Sequence, residues 1–361
     1  MTTDPARPRD DDAVRLFAFK VWSYKQGEVV SLMVHLGDRL GLYREMAGAG
    51  PLTAGDLAER TGLKERWLLE WLRGQAAAGL LESVDGERFE LTAEGAAVLA
   101  DEESSIWYAA GAFQGSVVPP EVLERLAAAF RTGTGLTYDD LGPAAAETAE
   151  RMLGPWTRLS LVPTILPAIG GVPERLERGA RVADLGCGSG VALLTMARAF
   201  PSSRFVGYDL SRHAIDRARA AASAEGLDNL TFSVGGEDAL GSERDLDLVV
   251  TFDCLHDMTH PAAAAAAVRR SLAGDGVWLV KEIRAGASWE EKLRNPLLAM
   301  MYGTSVATCM SSGLSRPGGA GLGTLGLDRT RLEELCTEAG FSTVTVHDFD
   351  DPANLYYEVR P

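Results

Sequence analysis

The stretch VADLGCGSG, residues 182–190, decides the reading of this chain. An apolar run ends in Asp184 and passes directly into Gly186, Gly188 and Gly190. Glycine at alternate positions is what a tight strand-to-helix turn needs when the backbone must come close to a ligand. A nicotinamide dinucleotide fingerprint, GxGxxG or GxGxxA, would want glycine or alanine at its sixth position. Here that position is Val191, with Gly190 one place early, so the dinucleotide reading weakens. Nineteen residues after Gly190 a second apolar run ends in Asp209, where an acidic side chain can accept both hydroxyl hydrogen bonds of a ribose.

Outward from this core, short apolar runs alternate with amphipathic helices, the pattern of a parallel α/β sheet. Seven strands are expected: 181–185, 204–209, 230–234, 247–252, 276–283, 343–348 and 355–359. Helices are expected at 191–200, 212–225, 262–273 and 329–340, with a long insertion over about 285–326 of the kind that forms functional lids.

The first half of the chain reads differently. Apolar residues recur at helical spacing from Val14 to Met46, including Leu16, Phe17, Phe19, Trp22 and Met33, and predict one or two helices with a buried face. Thr53 and Asp56 form a capping-box pair that opens a short helix ended by Gly62. A second helix from about Glu65 to Ala78 follows, then a hairpin over 80–91. Helix, turn, helix and hairpin make a winged helix. Its charge is wrong for a phosphate backbone: Lys64–Ala78 holds three basic and two acidic residues, and Glu82–Glu90 four acidic residues against Arg88. Further helices are expected at 120–132 and 144–167, bridging the two halves.

The bulk properties point the same way. At 361 residues two domains are expected, and 46% apolar with 24% charged residues is ordinary globular usage. A net charge of −16 repels nucleic acid and anionic lipid. Cys187, Cys254, Cys309 and Cys336 are widely spaced without a CxxC pair, which suits a reducing cytoplasm better than a disulfide framework. The N-terminus lacks a basic and apolar leader and reads as a disordered segment over residues 1–13. The longest uncharged run, 296–315, is too rich in Ser, Thr and Gly to span a membrane.

With DxGxGxG at 184–190 and the second-strand acid at Asp209, the chain resembles the class I S-adenosylmethionine (SAM)-dependent methyltransferases over about 181–361. The resemblance implies a Rossmann-like, seven-stranded α/β domain, preceded by the mainly helical winged-helix domain, with SAM as cofactor. It implies that Asp184, Gly186, Gly188 and Gly190 hold the methionine portion, Asp209 the ribose, and Leu210 the adenine face. Glu237, Asp238 and Ala239 after the third strand would serve the adenine edge, with Phe252 and Asp253 ending the fourth. The domain limits expected are a leader at 1–13, a helical, winged-helix dimerisation and substrate-capping domain at 14–172 and the methyltransferase domain at 173–361.

Methyl transfer needs an in-line nucleophile that has lost its proton, so a base is wanted at the C-terminal end of the fourth strand. His256 stands there in TFDCLHDMTHP, and Asp257 beside it could fix its tautomer. This His-Asp pair resembles that of small-molecule O-methyltransferases with an N-terminal winged-helix dimerisation domain, which usually place Trp where this chain has Met258. The resemblance implies O-methylation of a small metabolite by a homodimer. His256 and His260 are four apart, but Pro261 disfavours a helix carrying both, so no metal is expected. Cys254 reads as a buried packing residue. Candidate substrate contacts are Trp107, Tyr108, Phe113, Met301 and Tyr302, in uncharged stretches that core packing would explain equally well. Carbon or nitrogen acceptors, a SAM-responsive DNA-binding regulator, and a cyclase or isomerase that keeps SAM as a structural element are the competing readings.

Overall fold

The computed structural model describes residues 10–115 and 118–361. The chain divides into two compact units, 1–115 and 116–361, rather than at the expected 172/173. The helices Leu123–Thr132 and Pro143–Ser160 therefore belong to the second unit instead of bridging two halves. Pro143–Ser160 is held there by Arg217 on Glu150 at 2.8 Å and by the Trp156 indole N–H donating to the Tyr356 hydroxyl at 2.7 Å.

The first unit begins with one 29-residue helix, Asp11–Arg39, capped by the Asp10 carboxylate on the N–H groups of Asp12 and Ala13. Of the leader expected at 1–13, residues 11–13 are thus helical, and 1–9 lie outside the described residues. The buried face expected from Val14 onward is not buried within this chain. Leu16, Phe17, Phe19 and Trp22 are each about two-thirds or more exposed, and burial starts at Val34. Only the C-terminal end of the helix meets the core, where Val34 packs with Leu42, Tyr43, Met46, Leu57, Leu68, Trp71, Leu72 and Phe89.

The helix Ala54–Thr61 opens on the expected capping box, with the Thr53 N–H donating to Asp56 at 2.9 Å and the Asp56 N–H to the Thr53 hydroxyl at 3.1 Å. Gly62 ends it at φ 72°. The helix Glu65–Ala77 follows, then the two short antiparallel strands β1 (Glu82–Ser83) and β2 (Phe89–Glu90), which form the wing.

The second unit holds the seven strands β3 (Arg181–Leu185), β4 (Arg204–Asp209), β5 (Leu230–Val234), β6 (Leu246–Phe252), β7 (Leu272–Ile283), β8 (Thr343–His347) and β9 (Asn354–Arg360). Their order is β5-β4-β3-β6-β7-β9-β8, parallel except for β9, which runs antiparallel to β7 and β8. Side chains alternate between two buried layers. Val182, Leu248, Val250, Val277 and Leu279 enter one, while Ala183, Leu185, Val249, Trp278 and Val280 enter the other. Apolar residues on both faces are what a helix-covered parallel sheet requires. The strand order reverses at β3, whose neighbours are β4 and β6, so the crevice outside their C-terminal ends is the place for a ligand. The long insertion after β7 is helical in parts, with Trp289–Lys292, Leu298–Ala307 and Cys309–Gly313.

Candidate active site

At the end of β3 the chain turns through Gly186, Gly188 and Gly190, all at positive φ. The N–H groups of Gly186 and Cys187 both donate to the Tyr208 carbonyl, at 2.8 and 3.1 Å, which ties the turn to β4. Asp209 closes it. One carboxylate oxygen accepts the Gly188 N–H at 2.8 Å and the other the Ser211 N–H at 2.8 Å. Burial raises its carboxyl above the ordinary range, and these N–H donors oppose the rise.

Asp184 is 2% exposed and its Oδ1 has no hydrogen-bond partner. Burial, together with the nearby Asp209 charge, holds its carboxyl well above the ordinary carboxylate range. A buried acceptor without a donor is costly and is met where a ligand supplies the donor. Ser189, with an unpartnered buried hydroxyl, lies in the same turn. Leu210 is half-exposed and borders Gly236, and Glu237, Asp238 and Ala239 open the short helix Glu237–Leu240. Phe252 ends β6. Asp253 does not stand free beside it: its Oδ2 lies 2.5 Å from the buried Lys281 ammonium, and Asn354 donates to its other oxygen.

Beyond β6 the turn Leu255–Asp257 carries His256, 2% exposed. Its Nδ1 lies 2.7 Å from Oε2 of Glu282 on β7, while Glu282 Oε1 accepts the backbone N–H groups of Leu255 and His256 at 2.9 and 3.3 Å. Glu282, not Asp257, therefore orients the ring, which corrects the expectation for Asp257. Burial disfavours the charged imidazole, but the Glu282 carboxylate and the Cys309 hydrogen bond override it, so His256 titrates well above its ordinary value.

Asp257 instead accepts the Tyr138 hydroxyl at 2.8 Å. Burial, only partly offset by the His256 charge, raises its carboxyl to about 8. The Cys309 sulfur lies within 4.8 Å of a His256 ring nitrogen. Burial would raise its thiol, yet the imidazole lowers it to about 7. Tyr138 comes to the site because its segment is strapped to the helix Cys309–Gly313. Gly135 N–H donates to the Leu314 carbonyl at 3.0 Å and Leu136 N–H to the Ser311 hydroxyl at 2.7 Å. The next residue, Asp139, accepts from the Ser211 hydroxyl at 2.6 Å and the Arg212 N–H at 3.1 Å, beside the Asp209 turn.

Glu282, Tyr138 and Cys309 were missed in the sequence. Only Glu282 left a signal, an acid beside Lys281 inside the otherwise apolar run GVWLVKEI. His260 caps the helix Pro261–Ser271 through its backbone, apart from the His256 group. Cys254 is buried, with its thiol on the Leu185 carbonyl at 3.2 Å.

The substrate candidates divide. Trp107, Tyr108 and Phe113 lie in the first unit. Tyr108 is core there, 4% exposed with its hydroxyl on Asp38 at 3.0 Å; Phe113 packs against the same core, and Trp107 is exposed. In the second unit Met301 is half-buried with its sulfur on the Asn295 amide, and Tyr302 is exposed against Trp289.

Residues 176–328 match the family model described as a methyltransferase domain, and residues 28–101 the one described as an Rv2258c-like winged HTH domain. Among curated proteins, 82 residues are 32% identical to a Pseudomonas aeruginosa ribosomal RNA small subunit methyltransferase C, covering 23% of this chain and 24% of that one. Over 123 residues the chain is 34% identical to a Xylella fastidiosa release factor glutamine methyltransferase, covering 32% of this chain and 44% of that one. The chain thus spans less than half the length of these relatives.

Among solved structures, an O-methyltransferase family protein from Burkholderia thailandensis superposes with a TM-score of 0.64 at 18% identity, over 98% of this chain and 99% of that one. Human N-acetylserotonin methyltransferase gives 0.62 at 17%, over 99% of each, and the mitomycin 7-O-methyltransferase MmcR 0.63 at 19%, over 98% and 100%. At such identity these establish the fold. The chain is a winged helix–turn–helix domain followed by a methyltransferase domain of the class I α/β fold.

Proposed function

We propose that this protein is a SAM-dependent methyltransferase that methylates a hydroxyl of a small organic molecule, with His256 as the general base. The observation that carries the reading is the buried Glu282–His256 pair, set at the end of β6 beside a glycine turn whose Asp184 has an unpartnered oxygen. Asp184 and Asp209 fit SAM: a buried acceptor without a donor suits the ammonium of an amino acid, and Asp209 stands where a ribose would be held. SAM, when bound, supplies an electrophilic methyl group on a cationic sulfonium, which two buried carboxylates favour over an anionic dinucleotide.

His256 accepts the acceptor's hydroxyl proton on the ring nitrogen left free by Glu282, and the Glu282 carboxylate stabilises the resulting imidazolium. His256 is 2% exposed, and Tyr138 holds the neighbouring Asp257 through its hydroxyl at 2.8 Å. The net charge of −16 and the acidic wing of Glu82, Asp85, Glu87 and Glu90 favour a small acceptor over a nucleic acid and speak against a DNA-binding regulator. The exposed apolar residues Leu16, Phe17, Phe19 and Trp22 support a homodimer formed through the first helix. No helix among the described residues is long and apolar enough to cross a membrane, and the acidic chain with four free cysteines fits a cytoplasmic enzyme.

Calorimetric titration with SAM, S-adenosylhomocysteine and NAD tests the cofactor. Saturable SAM binding that Asp209→Ala abolishes supports the reading, and preference for NAD overturns it. Turnover on a panel of phenols, carbon acids and amines, with and without His256→Ala, then separates oxygen from carbon and nitrogen acceptors.

A further inference from the structure

Three donor atoms of different chemistry converge beside the base. A ring nitrogen of His256, a carboxylate oxygen of Asp257 and the sulfur of Cys309 all lie within 4.8 Å of one another. We propose that these three side chains form a binding site for a borderline-soft divalent cation, with zinc as the fitting member, and that filling it withdraws His256 from proton transfer.

The donor set is the first argument. One nitrogen, one sulfur and one oxygen is a combination zinc accepts in three-ligand sites, whereas magnesium and calcium take oxygen. Geometry is the second. Bond lengths of about 2.0–2.3 Å put tetrahedral ligand atoms roughly 3.3–3.8 Å apart. From separations of at most 4.8 Å the donors need contract by about 1.5 Å or less. Cys309 sits at a joint that can give this, since Thr308 breaks the helix between Ala307 and Cys309 with φ −125° and ψ −80°.

The surrounding hydrogen bonds already match a metal site. Glu282 holds His256 Nδ1 at 2.7 Å, the carboxylate–histidine arrangement that fixes a ligating ring and leaves Nε2 for the ion. Tyr138 holds the Asp257 carboxylate through Oδ2 at 2.8 Å, as a hydrogen bond to a ligating carboxylate would. Charge is the fourth argument. Among the described residues no lysine or arginine is hydrogen-bonded or ion-paired to Asp257, Glu282 or Cys309, and Lys281, next to Glu282 in the chain, is paired with Asp253. Two carboxyls and a thiol thus gather around one imidazole, a site that a divalent cation would balance.

Metal and proton then compete for the same ring nitrogen. This consequence rests on the methyl-transfer reading; the binding itself does not. The test uses the reduced, metal-stripped full chain titrated with Co²⁺ alone and then with Zn²⁺. One equivalent should bind, with a thiolate-to-cobalt charge-transfer band that Zn²⁺ bleaches. Cys309→Ala should abolish the band, Asp257→Asn should weaken binding about tenfold or more, and Cys336→Ala, a buried core cysteine elsewhere, should keep both.

Thermal unfolding of each metal-free variant confirms that it folds. Should Cys309→Ala not fold, the wild-type band alone decides, because its absence overturns the site. Substoichiometric binding, or a band that survives in folded Cys309→Ala, overturns it too. Stoichiometric zinc that leaves methyl transfer unchanged keeps the site and overturns the role of His256 as base.

Discussion

Glu282 sets one carboxylate oxygen 2.7 Å from His256 Nδ1 and the other 2.9 Å from the Leu255 N–H, so one side chain fixes both the imidazole and the turn that carries it. The ring is held well above its ordinary value, burial notwithstanding, by that carboxylate and Cys309. A base with a raised pKa is free only as pH climbs, so the rate should rise with pH along a limb placed above the ordinary histidine range. Glu282→Gln removes the negative charge. Its limb should move to lower pH, and its plateau should fall by about 10- to 100-fold, while His256→Ala should lose about 10²- to 10⁴-fold in kcat. A pH–rate profile of the three proteins checks this, and an unmoved limb in Glu282→Gln removes Glu282 from the chemistry.

Asp209 and Asp184 bear on binding instead of turnover. Asp209→Ala loses one backbone contact to the glycine turn, from Gly188, and one to Ser211, as well as the acceptor proposed for the ribose, and should weaken SAM at least about tenfold, as expected for charged hydrogen bonds. Asp184→Asn keeps the shape and removes the charge. Its calorimetric affinity should fall while its unfolding temperature rises, because an uncompensated buried carboxyl has been relieved.

Two glycines of the turn separate folding from ligand contact. A Cβ at Gly190 would come within 2.4 Å of the Phe232 ring at a φ of 78°, so Gly190→Ala should destabilise the domain by about 2–5 kcal/mol in urea unfolding, clash and backbone strain together. A Cβ at Gly188 would meet nothing within 4 Å, and its φ is 52°. Gly188→Ala should lower stability by only about 1–2 kcal/mol of backbone strain and yet reduce SAM affinity, since the open space above it is where a ligand would approach. Equal affinity in Gly188→Ala and wild type would place the ligand elsewhere.

Phe19 and Trp22 stand on the solvent-facing stretch of the first helix, 73% and 69% exposed. The double change Phe19→Glu and Trp22→Glu touches no core residue. Sedimentation should show a dimer for the wild type and a monomer for the variant, with the unfolding midpoint of the wing domain little changed.

Much of this architecture was legible because its signals are local. The capping box of Thr53 and Asp56, the αL glycine at Gly62 and the seven apolar runs each act within a few residues, and the strands fall where the alternation placed them. The unit boundary was not local. Helices between 120 and 167 are amphipathic whichever core they meet, and only ion pairs such as Arg217–Glu150 say which. Nor does the helical spacing of apolar residues reveal whether the same chain covers them, as the exposed Phe17 and Trp22 demonstrate. Around the site, His256 and the glycine turn were readable as motifs. Tyr138 reaches Asp257 across 119 residues and Cys309 across 171, distances over which spacing carries no information.

Tyr138 and Asp139 are consecutive in the turn Tyr138–Leu141, yet the first hydrogen-bonds Asp257 beside the base and the second caps the helix that starts at Ser211, beside Asp209. A single peptide unit thus fastens the His256 end of the cleft and the Asp209 end to the same short piece of chain, so a substitution that displaces this turn disturbs both ends at once.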